Sequence, residues 1–363
     1  MTRGQKKGRK KIVEQNLLGL LLVAGFFSCF GGDTGRRIVL SETVPFYSLE
    51  TSGQYGFKAF HTMAEFPQDS ESSEDDIIGI DDVTYQPELE SVPIGKDFTL
   101  DNLSEDVLQQ LENFDYLKSK FYLVDARTQL RPEDMNVREY LQKDFTLDYS
   151  MKGPKVLLMH THSMEGFLDS GDTVVDMKEG IWGAGEYLKE LLEKKYGIEV
   201  LHDTGRYDMV DGKGQRIGAY ERMEGPIAKI LEENPSIQVV IDLHRDGLPE
   251  NIHLVTQVNG KPCARVMFFN GLCRLAENGV GTDIPDLKNP YIKDNLAFSL
   301  QMKVALNSKY PDFTRKTYLN AYRYSLHMKP RSLLIEVGSQ MNTKEEAWNA
   351  MEPLAEALAE ILK

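Results

Sequence analysis

The spacing of apolar residues along the second half of the chain alternates between a strand-like and a helix-like pattern. Short, continuous apolar runs predict strands at residues 156–159, 198–201, 237–243 and 333–337. Between them, apolar residues at helical spacing predict helices from Ile181 to a stop at Gly197, over 216–233 before Pro235, over 293–308 and over 344–362. This alternation predicts an α/β fold with a mainly parallel central sheet flanked by helices.

Two weaker patterns complete the predicted fold. Apolar runs at 252–258 and 265–269 flank Asn259-Gly260, a dipeptide typical of a tight hairpin turn. Upstream, Leu103, Val107, Leu111 and Phe114 follow one helix face, and a strand is predicted at 121–125. We therefore expect residues 101–150 to lead into the catalytic domain and pack on it, and residues 151–363 to form that domain.

The beginning of the chain has a different pattern. The first eleven residues contain six Lys or Arg and no acid, and residues 15–32 carry no charge. A basic start followed by an apolar stretch predicts a cleaved signal peptide or an uncleaved signal anchor, and the bulky Phe26, Phe27 and Phe30 favour the anchor. We predict a cytoplasmic tail at 1–14, a transmembrane signal anchor at 15–32 and a single-pass cell-membrane protein whose catalytic domain is extracytoplasmic.

Charge separates the anchor from the domain. Residues 59–95 contain no Lys or Arg, and acids are concentrated between Asp69 and Asp82, so we predict a flexible extracytoplasmic linker over 33–100. The formal net charge of the whole chain is −14, and the part after the basic tail is more acidic still. A polypeptide with this much negative charge is repelled by the phosphate backbone of a nucleic acid, so we expect no nucleic-acid binding.

Polar side chains with metal-binding chemistry follow two of the predicted strands. The first strand leads into His160-Thr-His162-Ser-Met-Glu165, and the strand at 237–243 leads into His244-Arg-Asp246. The carboxyl ends of parallel strands meet at one edge of a sheet, and a zinc hydrolase takes about three imidazole or carboxylate ligands. His162, Glu165 and His244 form one such set, with His160 as a rival to His162. The chain has three cysteines and no Cys-x-x-Cys pair, which disfavours a thiolate site.

Other carboxylates have candidate roles around this centre. Glu336 is a lone acid inside the apolar strand at 333–337, where burial raises its proton affinity and suits it to act as general base. Asp242 and Asp246 are candidates to orient the ligands, although Asp246 has a simpler alternative in pairing with Arg245. Asp176 and Glu179 are rival ligands to Glu165. From the residues alone, we predict a membrane-tethered, metal-dependent α/β hydrolase.

Three ordered motifs resemble the stage II sporulation protein P family. They are the segment 160–165, the segment 240–246, and Leu-Ile-Glu336-Val-Gly338 together with residues 342–347. The segment 194–203, followed by Asp208, also fits that pattern. The similarity covers about residues 103–363, and the basic and apolar start matches the membrane anchor of that family. The chain departs from the pattern at Ser163, Met164 and residues 325–327, and none of these positions is a predicted ligand.

The resemblance implies a fold related to the zinc N-acetylmuramoyl-L-alanine amidases. It implies hydrolysis of the peptidoglycan amide between N-acetylmuramic acid and the stem peptide, with endopeptidase activity on cross-links, during septal wall remodelling and forespore engulfment. It also implies that His162 is preferred to His160 as a ligand beside Glu165 and His244, and that Glu336 is catalytic. The implied partners are stage II sporulation protein D, a lytic transglycosylase, and stage II sporulation protein M, a multispan membrane protein.

Two alternatives from other classes are compatible with the same residues. The domain would serve as a catalytically silent scaffold that binds the wall and recruits the lytic transglycosylase, or as a zinc carboxypeptidase or endopeptidase acting on the stem peptide alone. Cleavage products distinguish them, because only an amidase frees the lactyl group of muramic acid.

Overall fold

The computed structural model describes residues 103–277 and 279–363. The helices of this part of the chain are α1 Glu105–Glu112, α2 Phe114–Phe121, α3 Val137–Gln142, α4 Ile181–Tyr196, α5 Ala219–Glu233, α6 Ile292–Lys309 and α7 Lys344–Leu362. The strands are β1 Tyr122–Val124, β2 Val156–Met159, β3 Val200–His202, β4 Met209–Val210, β5 Lys213–Gly214, β6 Val239–Asp246, β7 Val255–Val258, β8 Lys261–Ala264, β9 Val266–Gly271, β10 Arg274–Glu277, β11 Val280–Asp283, β12 Thr317–Asn320 and β13 Arg331–Ser339.

Seven strands form one mixed sheet in the order β1-β12-β9-β13-β6-β2-β3. Neighbours within β13-β6-β2-β3 and within β1-β12-β9 are parallel, and the pair β9–β13 is antiparallel. The predicted mainly parallel α/β fold is confirmed. The single reversal between β9 and β13 gives the sheet two halves of opposite direction, so β2, β6 and β13 end at the same edge.

Helices cover both faces of the sheet because adjacent residues of a strand point to opposite sides. Val156 and Leu158 of β2 belong to the core cluster that contains residues of α4, α6 and α7, whereas Leu157 and Met159 belong to a second cluster with Met223 of α5. Helix α6 is buried nearly all round, from Asn295 to Leu306, which explains why its sequence is apolar on more than one side. The polar side chains at the ends of these strands lie on the face of the sheet that α5 covers.

The predicted elements recur with a few differences. Helix α4 ends at Gly197, which has a φ of 65°, and α7 begins with the capping box of Thr343 and Glu346. The upstream helix is instead two helices, because the side chain of Asn113 caps the start of α2. The Asn259-Gly260 hairpin exists, but its second strand is β8; the predicted strand at 265–269 is β9 of the central sheet. Strand β12 was not predicted.

The predicted cell-membrane location has to be corrected. Over the described residues, no helix combines the length with the apolar character that crossing a bilayer requires. Helix α7, with 19 residues, is long enough, but Glu352, Glu356 and Glu360 recur along it. The predicted tail at 1–14, the anchor at 15–32 and the linker at 33–100 lie outside the described residues. Of the segment 101–150, β1 joins the edge of the sheet beside β12.

Gly338 allows β13 to end in an irregularity just after Glu336. The pairing of β13 with β6 shifts between Glu336 and Ser339, and Gly338 lies there with a φ of 61°. A Cβ atom at this position would come within 2.4 Å of Asn342 Oδ1, which accepts a hydrogen bond from the Ser339 amide. A side chain at residue 338 is therefore excluded both by conformation and by space.

We expect Gly338→Ala to lower the free energy of unfolding by about 1–2 kcal/mol or more, because the left-handed conformation and the collision both oppose it. Denaturant unfolding of the full chain measures the loss. Gly247→Ala is the matched control, because the nearest atom to a Cβ there, Arg245 Nη1, is at an ordinary 3.8 Å. Equal stability of the two variants would contradict the role assigned to Gly338.

Candidate functional site

The carboxyl ends of three neighbouring parallel strands bring the predicted site residues together. In the pairing of β13 with β6, Glu336 lies opposite His244, and in the pairing of β2 with β6, Met159 lies opposite Asp242. The residues after Met159 therefore begin beside the end of β6. Because Asp242 and His244 alternate with core residues of the other face, their side chains lie on the α5 side of the sheet.

His162, Glu165 and His244 converge at this edge. One ligand atom of each lies within 4.8 Å of the others, and this is the one such cluster of three in the described part of the chain. His162 Nδ1 is 3.6 Å from Glu165 Oε1, and His244 Nδ1 is 3.5 Å from Glu165 Oε2. Ligand atoms that share one zinc ion at about 2.0–2.2 Å lie roughly 3–4 Å apart, so the spacing fits a single metal.

His244 lies between two buried carboxylates. Its Nε2 atom is 2.7 Å from Asp242 Oδ1, and its Nδ1 atom is 3.5 Å from Glu165 Oε2. Burial opposes a charge on the ring, but Asp242 and Glu165 outweigh it and raise the pKa of His244 well above its usual value. Asp242 is itself fixed, since the amide and hydroxyl of Thr161 donate to its two oxygens at 2.9 and 2.7 Å.

The Glu165 carboxylate is held ionised in the interior. Burial alone would raise its pKa, but the charges of Arg216 and His244 hold the pKa of Glu165 well below its usual value. Arg216 Nη1 donates to Glu165 Oε1 at 2.8 Å, and the Arg245 amide donates to Oε2 at 2.9 Å. For His162, burial and the nearby Arg216 lower the pKa to about 4, so its imidazole is neutral and offers a lone pair.

The structure separates the two histidines that competed in the sequence. Both ring nitrogens of His160 are engaged away from the cluster: Nδ1 contacts the Leu243 carbonyl at 2.7 Å, and Nε2 contacts His202 Nε2 at 2.9 Å. His162 instead faces Glu165, and its ring lies edge-on to His244 with centroids 5.1 Å apart. The geometry therefore brings His162, and not His160, to the candidate ligand set.

Glu336 lies beside this cluster with a high proton affinity. Burial, reinforced by Asp246 and Glu165, raises the pKa of Glu336 to about 8 against the opposing charges of His244 and Arg216. Its Oε2 atom is buried and makes no hydrogen bond to any described residue. An unsatisfied carboxyl oxygen next to converging ligands is uncommon in a protein interior, and it is suited to take and return a proton.

The remaining candidate carboxylates have other partners. Glu179 forms an ion pair with Lys344 at 2.6 Å, and Asp176 caps the short 3₁₀ helix Met177–Glu179. Asp246 pairs with Arg315 at 2.7 Å rather than with Arg245. None of the three is in the cluster with His162. Asp242 alone among the proposed orienting groups contacts a candidate ligand.

The donor set fits a zinc ion. Two imidazoles and one carboxylate are ligands that zinc prefers, and three of them leave a further position for water or substrate. Asp242 behind His244 Nε2 is the kind of outer carboxylate that orients a ligating histidine. The loop that carries His162 and Glu165 is itself anchored, because Asp208 accepts hydrogen bonds from the Ser163 hydroxyl and the Met164 amide.

Sequence patterns missed Arg216 and Tyr220. Arg216 precedes α5, and the Tyr220 ring lies edge-on to His162 with centroids 5.7 Å apart. Neither stands out in the sequence, because a basic residue near a helix start and an aromatic residue on a helix face are common. Only the packing of α5 over the strand ends shows that they contact the site.

Solved structures with some similarity to the chain include two amidases. Among solved structures, the chain is similar to the N-acetylmuramoyl-L-alanine amidase AmiC2 of Nostoc punctiforme, with 12% identity, a TM-score of 0.34, and coverage of 58% of this chain and 97% of that one. It is also similar to the CwlD amidase of Clostridioides difficile in complex with the GerS lipoprotein, with 16% identity, a TM-score of 0.34, and coverage of 57% and 95%.

The family itself is established by sequence. A curated relative, stage II sporulation protein P of Bacillus subtilis (strain 168), is 23% identical over 218 residues, which are 57% of this chain and 50% of the relative. The chain thus spans about half the length of the curated relative that it matches. The family model for stage II sporulation protein P matches residues 62–359, well over half of the 363 residues. The chain belongs to the stage II sporulation protein P family.

Proposed function

We propose that this protein is a zinc-dependent peptidoglycan amidase that hydrolyses the amide between N-acetylmuramic acid and the stem peptide. The observation that carries the proposal is the convergence of His162, Glu165 and His244 beside Glu336 at one sheet edge. Family membership supports a role in sporulation, in septal wall remodelling and forespore engulfment. The same centre would accept peptide amides, so cross-link endopeptidase activity is part of the proposal.

The proposed ligands are His162 and His244 through Nδ1 and Glu165 through its carboxylate. When bound, zinc lowers the pKa of a coordinated water to about 7 and polarises a carbonyl oxygen. Asp242 holds the His244 ring in place from the opposite side, and Thr161 in turn holds Asp242. These contacts keep the His244 ring at the strand end in a fixed orientation, which hydrolysis at one position of a long polymer requires.

Glu336 is the proposed proton carrier. With a pKa raised to about 8, it accepts the proton of the attacking water and returns it to the leaving nitrogen at a pH near neutrality. The carbonyl carbon gains an oxygen, the carbon–nitrogen bond breaks, and the products are a lactyl carboxylate on muramic acid and the free amine of the stem peptide. The unpaired Oε2 atom is the one available for this transfer.

We further propose that residues 151–363 form the catalytic domain and that residues 101–150 support it, since β1 extends its sheet. The proposed partners are stage II sporulation proteins D and M. A lytic transglycosylase would complement an amidase, because one cuts glycan strands and the other removes their stem peptides.

We expect His244→Ala to weaken zinc binding by about 100-fold or more, because it removes one of three ligands. Metal content of the purified full chain, with a competing chelator, measures the change. His253→Ala is the control, since that half-exposed histidine contacts Glu346 and not the cluster. Parental zinc binding by His244→Ala would remove His244 from the ligand set.

We expect Glu336→Gln to lower amidase turnover by about 10²–10⁴-fold and to leave zinc content near the parental level, because the amide keeps the shape but not the proton transfer. Mass spectrometry of digested sacculi measures the released stem peptides and free lactyl groups. Glu179→Gln is the matched control at a carboxylate outside the cluster. Loss of zinc in Glu336→Gln would instead identify Glu336 as a ligand, and full activity would exclude it as the proton carrier.

A further inference from the structure

The candidate metal site already holds a cation, the guanidinium group of Arg216. Its Nη1 atom donates to Glu165 Oε1 at 2.8 Å and its Nη2 atom contacts His162 Nδ1 at 2.9 Å. One flat, forked side chain therefore bridges two of the three proposed ligands. The ligand carboxylate is 2% exposed and the Arg216 side chain 31% exposed, so the cation covers the cluster from the solvent side.

The contact with His162 excludes a metal at the same atom. A guanidinium group is always protonated and only donates, so His162 Nδ1 must accept through its lone pair. A neutral imidazole nitrogen has one lone pair, and a metal would need that same pair. Nδ1 is also the ring atom that faces Glu165, at 3.6 Å. Arg216 and a metal ion therefore cannot hold His162 Nδ1 at the same time.

The segment that carries Arg216 is built to hold the guanidinium there. Arg222 of α5 donates to the backbone carbonyls of Gln215 and Ile217, the two neighbours of Arg216, and to that of Tyr207 at 2.6 Å. Tyr220, one turn along, packs edge-on against His162. The placement of Arg216 is thus supported by contacts on both sides, which is unlike an exposed arginine that happens to reach an acid.

We propose that Arg216 is a built-in competitor for the metal, which occupies two of its ligands and must leave them before the ion binds. The inference rests on the proposed zinc site. Because the single lone pair of His162 Nδ1 cannot serve both, binding of the metal requires that Arg216 release this atom. Occupation of the site is then coupled to movement of the Arg216 side chain away from Glu165 and His162, and anything that holds this side chain outward favours the metal.

The test compares the zinc affinity and the stability of three full-length proteins. Arg216→Gln removes the competitor, and Lys213→Gln removes the same charge from an exposed position of the same segment. We expect Arg216→Gln to bind Zn²⁺ about tenfold more tightly than the parent in competition with a chromogenic chelator. After treatment with a strong chelator, its Tm should be lower by about 5 °C or more, because the buried Glu165 has lost its cation. Lys213→Gln should change neither quantity.

The two changes have opposite signs, which a merely structural role of Arg216 would not produce. Equal or weaker zinc binding by Arg216→Gln, with zinc binding by the parent, overturns the inference and leaves the proposed amidase standing. If Arg216→Gln is the only one of the three proteins that binds zinc, the inference is supported, because Arg216 then blocks the metal completely in the parent. Absence of zinc binding from all three proteins overturns both the inference and the proposed metal site, whereas tight zinc binding without wall cleavage overturns only the amidase.

Discussion

The buried negative charge of Glu165 organises this end of the molecule. A carboxylate that is 2% exposed is stable only if hydrogen bonds and opposite charges surround it. Arg216, His244 and the Arg245 amide meet that need from three directions, and His162 lies within 3.6 Å. The groups that neutralise the charge are also the candidate ligands and their competitor, so the stability of this edge and its chemistry depend on the same carboxylate.

The direction of the strands determines which polar residues can reach Glu165. The neighbouring strands β13, β6, β2 and β3 bring their carboxyl ends to this edge, and β9 does not, because β9 runs against β13. Within β2 and β6, one face packs against the large core and the other belongs to a cluster with α5, and the site residues of these strands continue the α5 face. Glu336 thus lies opposite His244 through two simple rules, parallel register and alternation of side chains.

These rules explain what could be predicted from the sequence. Apolar runs that end in His and Glu indicate strand ends, and parallel strand ends meet, so the grouping of His162, Glu165, His244 and Glu336 was open to inference. The position of β9 could not be predicted, because its apolar run next to Asn259-Gly260 is equally typical of the second strand of a hairpin. The contact of Arg216 with the site could not be predicted either, since it depends on how α5 packs, and the local sequence pattern does not specify that packing.

The choice between His160 and His162 shows how an outer contact decides a ligand set. A backbone carbonyl only accepts, so His160 Nδ1 carries the proton that binds Leu243, and its Nε2 must accept from His202. The other ring nitrogen of His202, Nδ1, lies 2.8 Å from Glu186 Oε2. A Cβ atom at residue 185 would come within 2.7 Å of His160 Nε2, so Gly185 is needed for this chain of contacts. His160 thereby ties the end of β2 to the residue before His244, which fixes the distance between the two histidines that do face Glu165.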